Sequence, residues 1–361
     1  MAYKVPSICI KVIPLLASLL LLQPVWGQKK LPVVGQKKFS ELDDLLQQKQ
    51  KLLGKDFVVM LWKKDDTLVY KREFGEFGEF NSKTQAPIAS CSKWLTTALA
   101  MTFIDEGKLS LDDKITKWLP EFAKYGKNYI TIRTCLSHMT GIRSEPITLL
   151  KLLERKKFSS LEEEVNTFAA KDIQSNPGTE FRYSNIGLNI VGRILEIISK
   201  KRFDLLARQR LFVPLLMRRS TFTTLDGGAI NPSGGALSSA DDYMHFLIML
   251  MNKGIYQGRR ILSEKSVNEM LRVQTKPEQI KYAPSVAQGY NYALGAWVAE
   301  EKDGEATVVA SPGLFGTWPL IDYCRGYAYL FFVKDLLSDE KAGAQVEIKG
   351  LIDEKFDNSC K

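Results

Sequence analysis

The stretch IASCSKWLTTALAMTFIDEGKLSLDD, residues 88–113, places Ser90 and Lys93 three positions apart at the start of an apolar helical run. On a helix, positions i and i+3 share a face. A serine hydroxyl is a weak nucleophile until a base takes its proton. A lysine serves as that base once burial has disfavoured its charged form. WLTTALAM supplies the apolar setting, and the positive end of the helix dipole favours an alkoxide in the first turn. A helix cap followed by a snorkelling lysine would use the same two residues, so the pair needs company. It comes from NPGTEFRYSNIGLNIVGRILEIIS, where Tyr183, Ser184 and Asn185 precede an amphipathic helix. A tyrosine hydroxyl can relay a proton beside a lysine, and an asparagine amide can orient a substrate carbonyl. The alternative is a helix cap at Ser184 or Asn185 behind a core tyrosine.

Other chemistries find little material. His138 and His245 are the only two histidines, and no C-x-x-C pair occurs, so no metal site is expected. G-x-S-x-G, H-E-x-x-H and P-loop patterns are absent. Gly234-Gly235 reads as a loop and not as a dinucleotide cradle, and no cofactor is implied. The formal net charge is +9, but the basic residues are scattered. They read as a solvated surface, with no nucleic acid expected as partner.

These residues need elements to position them. Residues 1–27 read as a signal peptide. Lys4 and Lys11 are followed by an apolar run from Val12 to Leu22, then by PVWGQ, with Val25 and Gly27 before Gln28. The run falls short of the roughly 20 residues that span a bilayer; an uncleaved anchor is the alternative. No second span appears, so an exported protein, periplasmic or secreted, is expected, with residues 28–361 as one catalytic domain. Residues 39–53 have helical spacing. DFVVMLWKK and TLVYKREF form a hairpin turning at Asp65-Asp66, and GEFGEF reads as a loop. A helical block follows, clearest at 90–106, 183–200, 239–253 and 263–272. Three strands, YALGAWVAEE, ATVVAS and GYAYLFFVK, precede a final helix, AGAQVEIKGLIDEKF. The economical fold is α+β: an antiparallel sheet flanked by terminal helices, with a large all-α lobe inserted. The α/β lobe covers about 38–87 plus 288–361, and the all-α lobe about 88–287. A cleft is expected where the lobes meet.

The last strand is roughly 30 Å long at strand rise and the final helix roughly 27 Å at helical rise. A helix folding back along the sheet brings Cys360 towards Cys324, where a disulfide and two free thiols are both open. Cys91 and Cys135 lie in apolar contexts and read as buried thiols.

IASCSKWLTTALAMTFIDEGKLSLDD, ITIRTCLSHMTGI, NPGTEFRYSNIGLNIVG, LFVPLLM, GGALSSADDYMHFL and LGAWV occur in one chain. As a set they resemble the serine beta-lactamase and penicillin-binding-protein family, nearest to the class C beta-lactamase-related hydrolases and their esterase relatives, over about residues 38–335. The resemblance implies that Ser90 is the acylated nucleophile, Lys93 its base and Tyr183 the partner in proton transfer, with Asn185 contacting substrate. His138 is not a base in that family and reads as structural, with Gly141 ending its helix.

The family's third element is K-T-G, H-x-G or W-x-G on the strand bordering the cleft; here it is Ser311-Pro312-Gly313. Ser311 departs from the pattern, offering a hydroxyl without charge, while Gly313 permits close approach of a ligand. If the Leu314 N–H faces the cleft, so does the Pro312 nitrogen, and the proline then costs no sheet bond. The N–H groups of Ser90 and Leu314 are the expected oxyanion hole. Without a cation at position 311, anchoring of a carboxylate weakens, so neutral esters or amides come ahead of penicillins. The expected function is an exported serine hydrolase, esterase-like, acting on a small-molecule or peptide substrate. A D-alanyl-D-alanine carboxypeptidase or beta-lactamase, or an inactive peptidoglycan- or peptide-binding module, are the alternatives. Arg325 belongs to a neighbouring turn and has no place in this scheme.

Overall fold

Phe57-Val58-Val59-Met60-Leu61 is apolar at every position, the pattern of a strand covered on both faces. A computed structural model describes residues 36–65, 67–75, 79–146, 158–224 and 227–360. In it this run belongs to β1 (Phe57–Lys63), paired antiparallel with β2 (Thr67–Phe74). The chain returns to the same sheet with β3 (Asn291–Tyr292), β4 (Trp297–Lys302), β5 (Glu305–Ala310), β6 (Trp318–Asp322) and β7 (Tyr327–Val333). The order is β3-β4-β5-β6-β7-β1-β2, antiparallel throughout. β1 therefore pairs with β7, from Phe57 opposite Val333 to Lys63 opposite Tyr327.

Alternation then sorts the side chains. Phe57, Val59 and Leu61 share one core with Tyr329, Phe331 and with Leu42 and Leu46 of helix α1 (Ser40–Gln48). Val58 and Met60 face the other way, with Leu330 and Phe332, into a second and larger core. That second core holds α2 (Ser92–Asp105), α3 (Ile132–Leu136), α4 (Leu161–Ala169), α5 (Ile186–Ser199), α6 (Ala240–Met251) and α7 (Glu264–Leu271). The final helix α8 (Asp339–Asp353) comes back to the α1 side through Ile348 and Ile352. Each large apolar side chain buried this way contributes roughly 1.5–3 kcal/mol. Serine hydroxyls start three helices: Ser239, Ser263 and Ser338 accept from the third N–H of α6, α7 and α8. This is the expected α+β architecture. The described residues lie in one compact unit, Val33–Lys361.

The structure corrects several details. The helix expected over 39–53 breaks at Lys49 into Ser40–Gln48 and Gln50–Leu53. β6 was not foreseen. Gly141 does not end α3, which stops at Leu136, and the turn is made by His138 at φ +57°. Gly141 instead lies against the Ser175 carbonyl, where a Cβ would come within 2.0 Å of the oxygen.

Cys324 and Cys360 form a disulfide with Cα atoms 5.2 Å apart, while Cys91 and Cys135 are buried thiols. Next to the bridge, Glu300, Asp322 and Asp353 gather three carboxylates. Arg325 and Lys349 stand among them, at 2.8 Å from Asp322 and 2.6 Å from Asp353 respectively, so the cluster is an ion-pair network. The signal-peptide residues, Asp66 of the hairpin turn and residues 76–78 of GEFGEF lie outside the described residues. Among the described residues no helix is long and apolar enough to cross a membrane.

Candidate active site

Ser90 sits in a 3-10 turn, Ala89–Cys91, that runs directly into α2. Ala89 before it has φ +44°. A left-handed conformation costs a residue with a Cβ about 1–2 kcal/mol. The turn is held by hydrogen bonds from Ile88 N–H to the Ala236 carbonyl (3.1 Å) and from Cys91 N–H to the Ile88 carbonyl (3.1 Å). One turn on, Lys93 is 1% exposed. Burial drives its pKa from 10.5 down to about 7, opposed weakly by the Cys91 thiol.

Lys93 Nζ lies 3.2 Å from Ser90 Oγ, 3.1 Å from Asn185 Oδ1 and 2.9 Å from the Ser233 carbonyl. The last two groups can only accept. In the neutral amine they take both N–H bonds, which leaves the lone pair directed at the Ser90 hydroxyl. Asn185 occupies the N-cap position of α5, yet its side chain caps nothing there. Its amide oxygen is turned to the lysine, which disfavours the helix-cap reading of this residue.

Tyr183 completes the group. Its ring centroid is 4.8 Å from Lys93 Nζ, and it lines the same cavity as Ser90. Burial raises its pKa, and the Ser90 contact lowers it less, so it keeps its proton at neutral pH. The tyrosine is held from behind. Its N–H donates to the Tyr282 carbonyl (3.1 Å), and the Ser184 N–H donates to His138 Nδ1 (3.3 Å). That bond puts the His138 proton on Nε2, 3.1 Å from the Tyr292 hydroxyl. Burial, then the Lys93 charge, hold the imidazole well below its ordinary pKa. His138 is thus a neutral support under Tyr183.

The opposite wall is the chain leaving β5. Ser311 and Gly313 N–H groups donate towards Pro319 (3.2 Å) and Thr317 (2.9 Å). Between and after them, Pro312 has no N–H to donate and Leu314 begins the turn that leads to Thr317. Among the described residues Leu314 N–H has no hydrogen-bond acceptor. A cavity of about 290 Å³ opens between Ser90, Tyr183 and Leu314, walled by Tyr282, Trp297 and Leu337. Among the described residues none that lines it is charged.

The Beta-lactamase family model matches residues 42–349. The chain belongs to the beta-lactamase family. Its sequence is 25% identical to protein Rv1367c of Mycobacterium tuberculosis over 343 aligned positions, covering 77% of this chain and 85% of that protein. A crystal structure of a beta-lactamase-type protein from Bacteroides dorei superposes with TM-score 0.76 at 27% identity, covering 88% of this chain and 98% of the other. EstCE1, a hydrolase with promiscuous acyltransferase activity, shares the fold with TM-score 0.72 at 20% identity, over 88% of this chain and 98% of its own. The beta-lactamase-fold family generally comprises serine hydrolases, and a protein of Salmonella typhimurium named as a D-alanyl-D-alanine carboxypeptidase by similarity is 26% identical over 177 residues, 46% of this chain and 41% of its own.

The structure brings Ser90, Lys93, Tyr183 and Asn185 together, with Gly313 and Leu314 across the cavity. It does not bring Ser311 to the wall. Ser311 is 3% exposed, and its hydroxyl is turned to the Gly295 carbonyl at 3.4 Å. The Ser233 carbonyl escaped the sequence reading because a backbone group leaves no trace in residue type. Trp297 was visible only as part of the LGAWV resemblance, and Tyr282 carried no signal.

Proposed function

We propose that this beta-lactamase-family protein is an exported serine acyl hydrolase that acts on uncharged esters or amides through an acyl-enzyme. The observation that supports this most is a cavity whose described lining residues are all uncharged, with Ser90 on its wall and a buried Lys93 behind it. Neutral Lys93 takes the Ser90 proton as Oγ attacks the substrate carbonyl. The tetrahedral oxyanion is received by the N–H groups of Ser90 and Leu314. The proton then passes through the Tyr183 hydroxyl to the leaving alcohol or amine, and the C–O or C–N bond breaks. Water, activated by the same pair, releases the acid and restores Ser90. In this reading Asn185 Nδ2, the end of the amide not facing Lys93, donates to a polar group of the substrate. A penicillin or a stem peptide carries a carboxylate, and among the described residues the cavity lining offers it no cation, which places beta-lactamase and carboxypeptidase activities second.

The test is hydrolysis of a short-chain chromogenic ester by wild type and Ser90→Ala, with covalent labelling by a serine-reactive phosphonate. Turnover and labelling that both vanish in Ser90→Ala support the reading. Equal inertness of the two proteins towards esters, amides and phosphonate would leave the binding-module alternative.

A further inference from the structure

Behind Lys93 the interior carries polar groups that the reaction scheme does not use. Asn189 is wholly buried in the second turn of α5, and Glu164 on α4 is 5% exposed. Asn189 Nδ2 donates to Glu164 Oε2 at 3.2 Å, and Asn189 Oδ1 accepts from the Ser233 N–H at 3.1 Å. With the carboxylate able only to accept and the Ser233 amide only to donate, this fixes which end of the Asn189 amide points where. The Ser233 carbonyl, the other side of the same residue, is the nearest acceptor to Lys93 Nζ, at 2.9 Å. The chain of contacts is therefore continuous from Glu164 to the lysine.

Helix interiors seldom bury an asparagine, and a buried polar group left without partners costs about 1–3 kcal/mol. The placement gains something else. The turn from Asn231 to Gly235 closes on itself through Gly235 N–H to the Asn231 carbonyl at 2.8 Å, and it leaves Ser233 facing inwards. Within the turn, Asn231 Oδ1 accepts from the Ser233 hydroxyl (2.7 Å) and from its N–H (3.3 Å), and Asn189 Oδ1 is the acceptor that ties the same N–H to α5.

We propose that Asn189, oriented by Glu164, is a positioning residue for Lys93, acting through the Ser233 peptide. It sets where the Ser233 carbonyl stands, and so which N–H of Lys93 is occupied when the lone pair meets Ser90. The proposal rests on Ser90 and Lys93 being the reaction centre only for its consequence, not for its geometry. Among the described residues the other titratable groups facing Lys93 are Cys91 in the turn before α2, Tyr183 before α5 and His138 after α3. Burial raises the first two and lowers the third, so all three are uncharged near neutrality.

The experiment is an NMR pH titration of Lys93 in the full chain carrying [ε-13C]lysine, with Lys93→Met to assign the signal. Loss of a carbonyl acceptor destabilises the ammonium form. Asn189→Leu is expected to lower the Lys93 midpoint by about one unit, to cut ester turnover about tenfold and to leave KM unchanged. Glu164→Gln keeps an acceptor for Asn189 Nδ2 and is expected to retain the wild-type midpoint, whereas Glu164→Leu is expected to follow Asn189→Leu. A folded Asn189→Leu protein with an unchanged midpoint would overturn the proposal, and so would equal shifts in Glu164→Gln and Glu164→Leu, which would assign the effect to charge. The titration needs no turnover. A protein inert towards esters, amides and phosphonate that still shows these shifts would refute the hydrolase reading and leave the positioning role standing.

Discussion

Gly313 packs so closely on the Ile88 carbonyl that a Cβ there would lie 2.3 Å from the oxygen and 3.1 Å from Cys91 Sγ. The two sides of the cavity, the nucleophile turn and the end of β5, touch at this point. Gly313→Ala forces them apart and moves Leu314 relative to Ser90. Steady-state kinetics are expected to show kcat lower by roughly 10²–10³-fold, the loss of one oxyanion donor. Urea denaturation is expected to show about 1–3 kcal/mol of destabilisation. Wild-type kcat in a folded alanine variant would remove Leu314 from the oxyanion hole.

The acid limb of the rate profile follows from Lys93. Its pKa of about 7 makes the protonated form dominant below that value. Ester kcat/KM is expected to rise about tenfold per pH unit below 7 and to level off above it. A profile flat from pH 5 to 9 would show that another group takes the Ser90 proton.

The same shift has a stability consequence. In the unfolded chain Lys93 holds its proton up to about pH 10.4, and in the folded protein it loses it near 7. Between these values the unfolded state binds more protons, so stability rises with pH. Below 7 the lysine is charged in both states and the desolvation cost is complete. Lys93→Met lacks this dependence. Its stability relative to wild type is expected to be most favourable below pH 7 and to decline towards pH 10, by no more than about 5 kcal/mol. Urea melts of both proteins at pH 6, 8 and 9.5 measure this, and parallel curves would contradict the buried, neutral lysine.

Ser311→Ala tests the third element. Because the hydroxyl is turned to Gly295 and away from the cavity, KM for a neutral ester is expected to change by less than about twofold, with stability lower by about 1 kcal/mol from the lost hydrogen bond. A tenfold rise in KM would place the side chain at the substrate.

Cys360→Ser opens the bridge to Cys324 across a sequence separation of 36. Chain-entropy reasoning gives a loss of about 3–4 kcal/mol. The bridge lies outside the cavity lining, so kcat/KM at room temperature is expected to stay near wild type. Denaturation without reductant, alongside ester kinetics, separates the two effects.

Much of this molecule was legible where local chemistry and tertiary demand agree. β1 reads as a doubly covered strand, and α6 and α7 announce themselves by a serine cap ahead of periodic apolar residues. β6 did not, because Trp318-Pro319-Leu320 carries a proline that argues against an interior strand. The fold tolerates it for a local reason. Pro319 stands opposite Ser311, one residue after β5 has ended at Ala310, so the missing N–H falls at the end of that ladder. Ser90, Lys93, Tyr183 and Asn185 were readable as a recurring set. The features that orient them, the Ser233 carbonyl and the left-handed Ala89, belong to the backbone, and residue types record neither.

The disulfide also changes how the chain end transmits force. Residues 324 to 360 form a covalent ring that contains β7, which is hydrogen-bonded between β6 and β1. Tension applied at the C-terminus bypasses α8 and is delivered at Cys324, in the turn between two interior strands. The final helix cannot be peeled away from its free end, and a tether attached there would pull on the centre of the sheet.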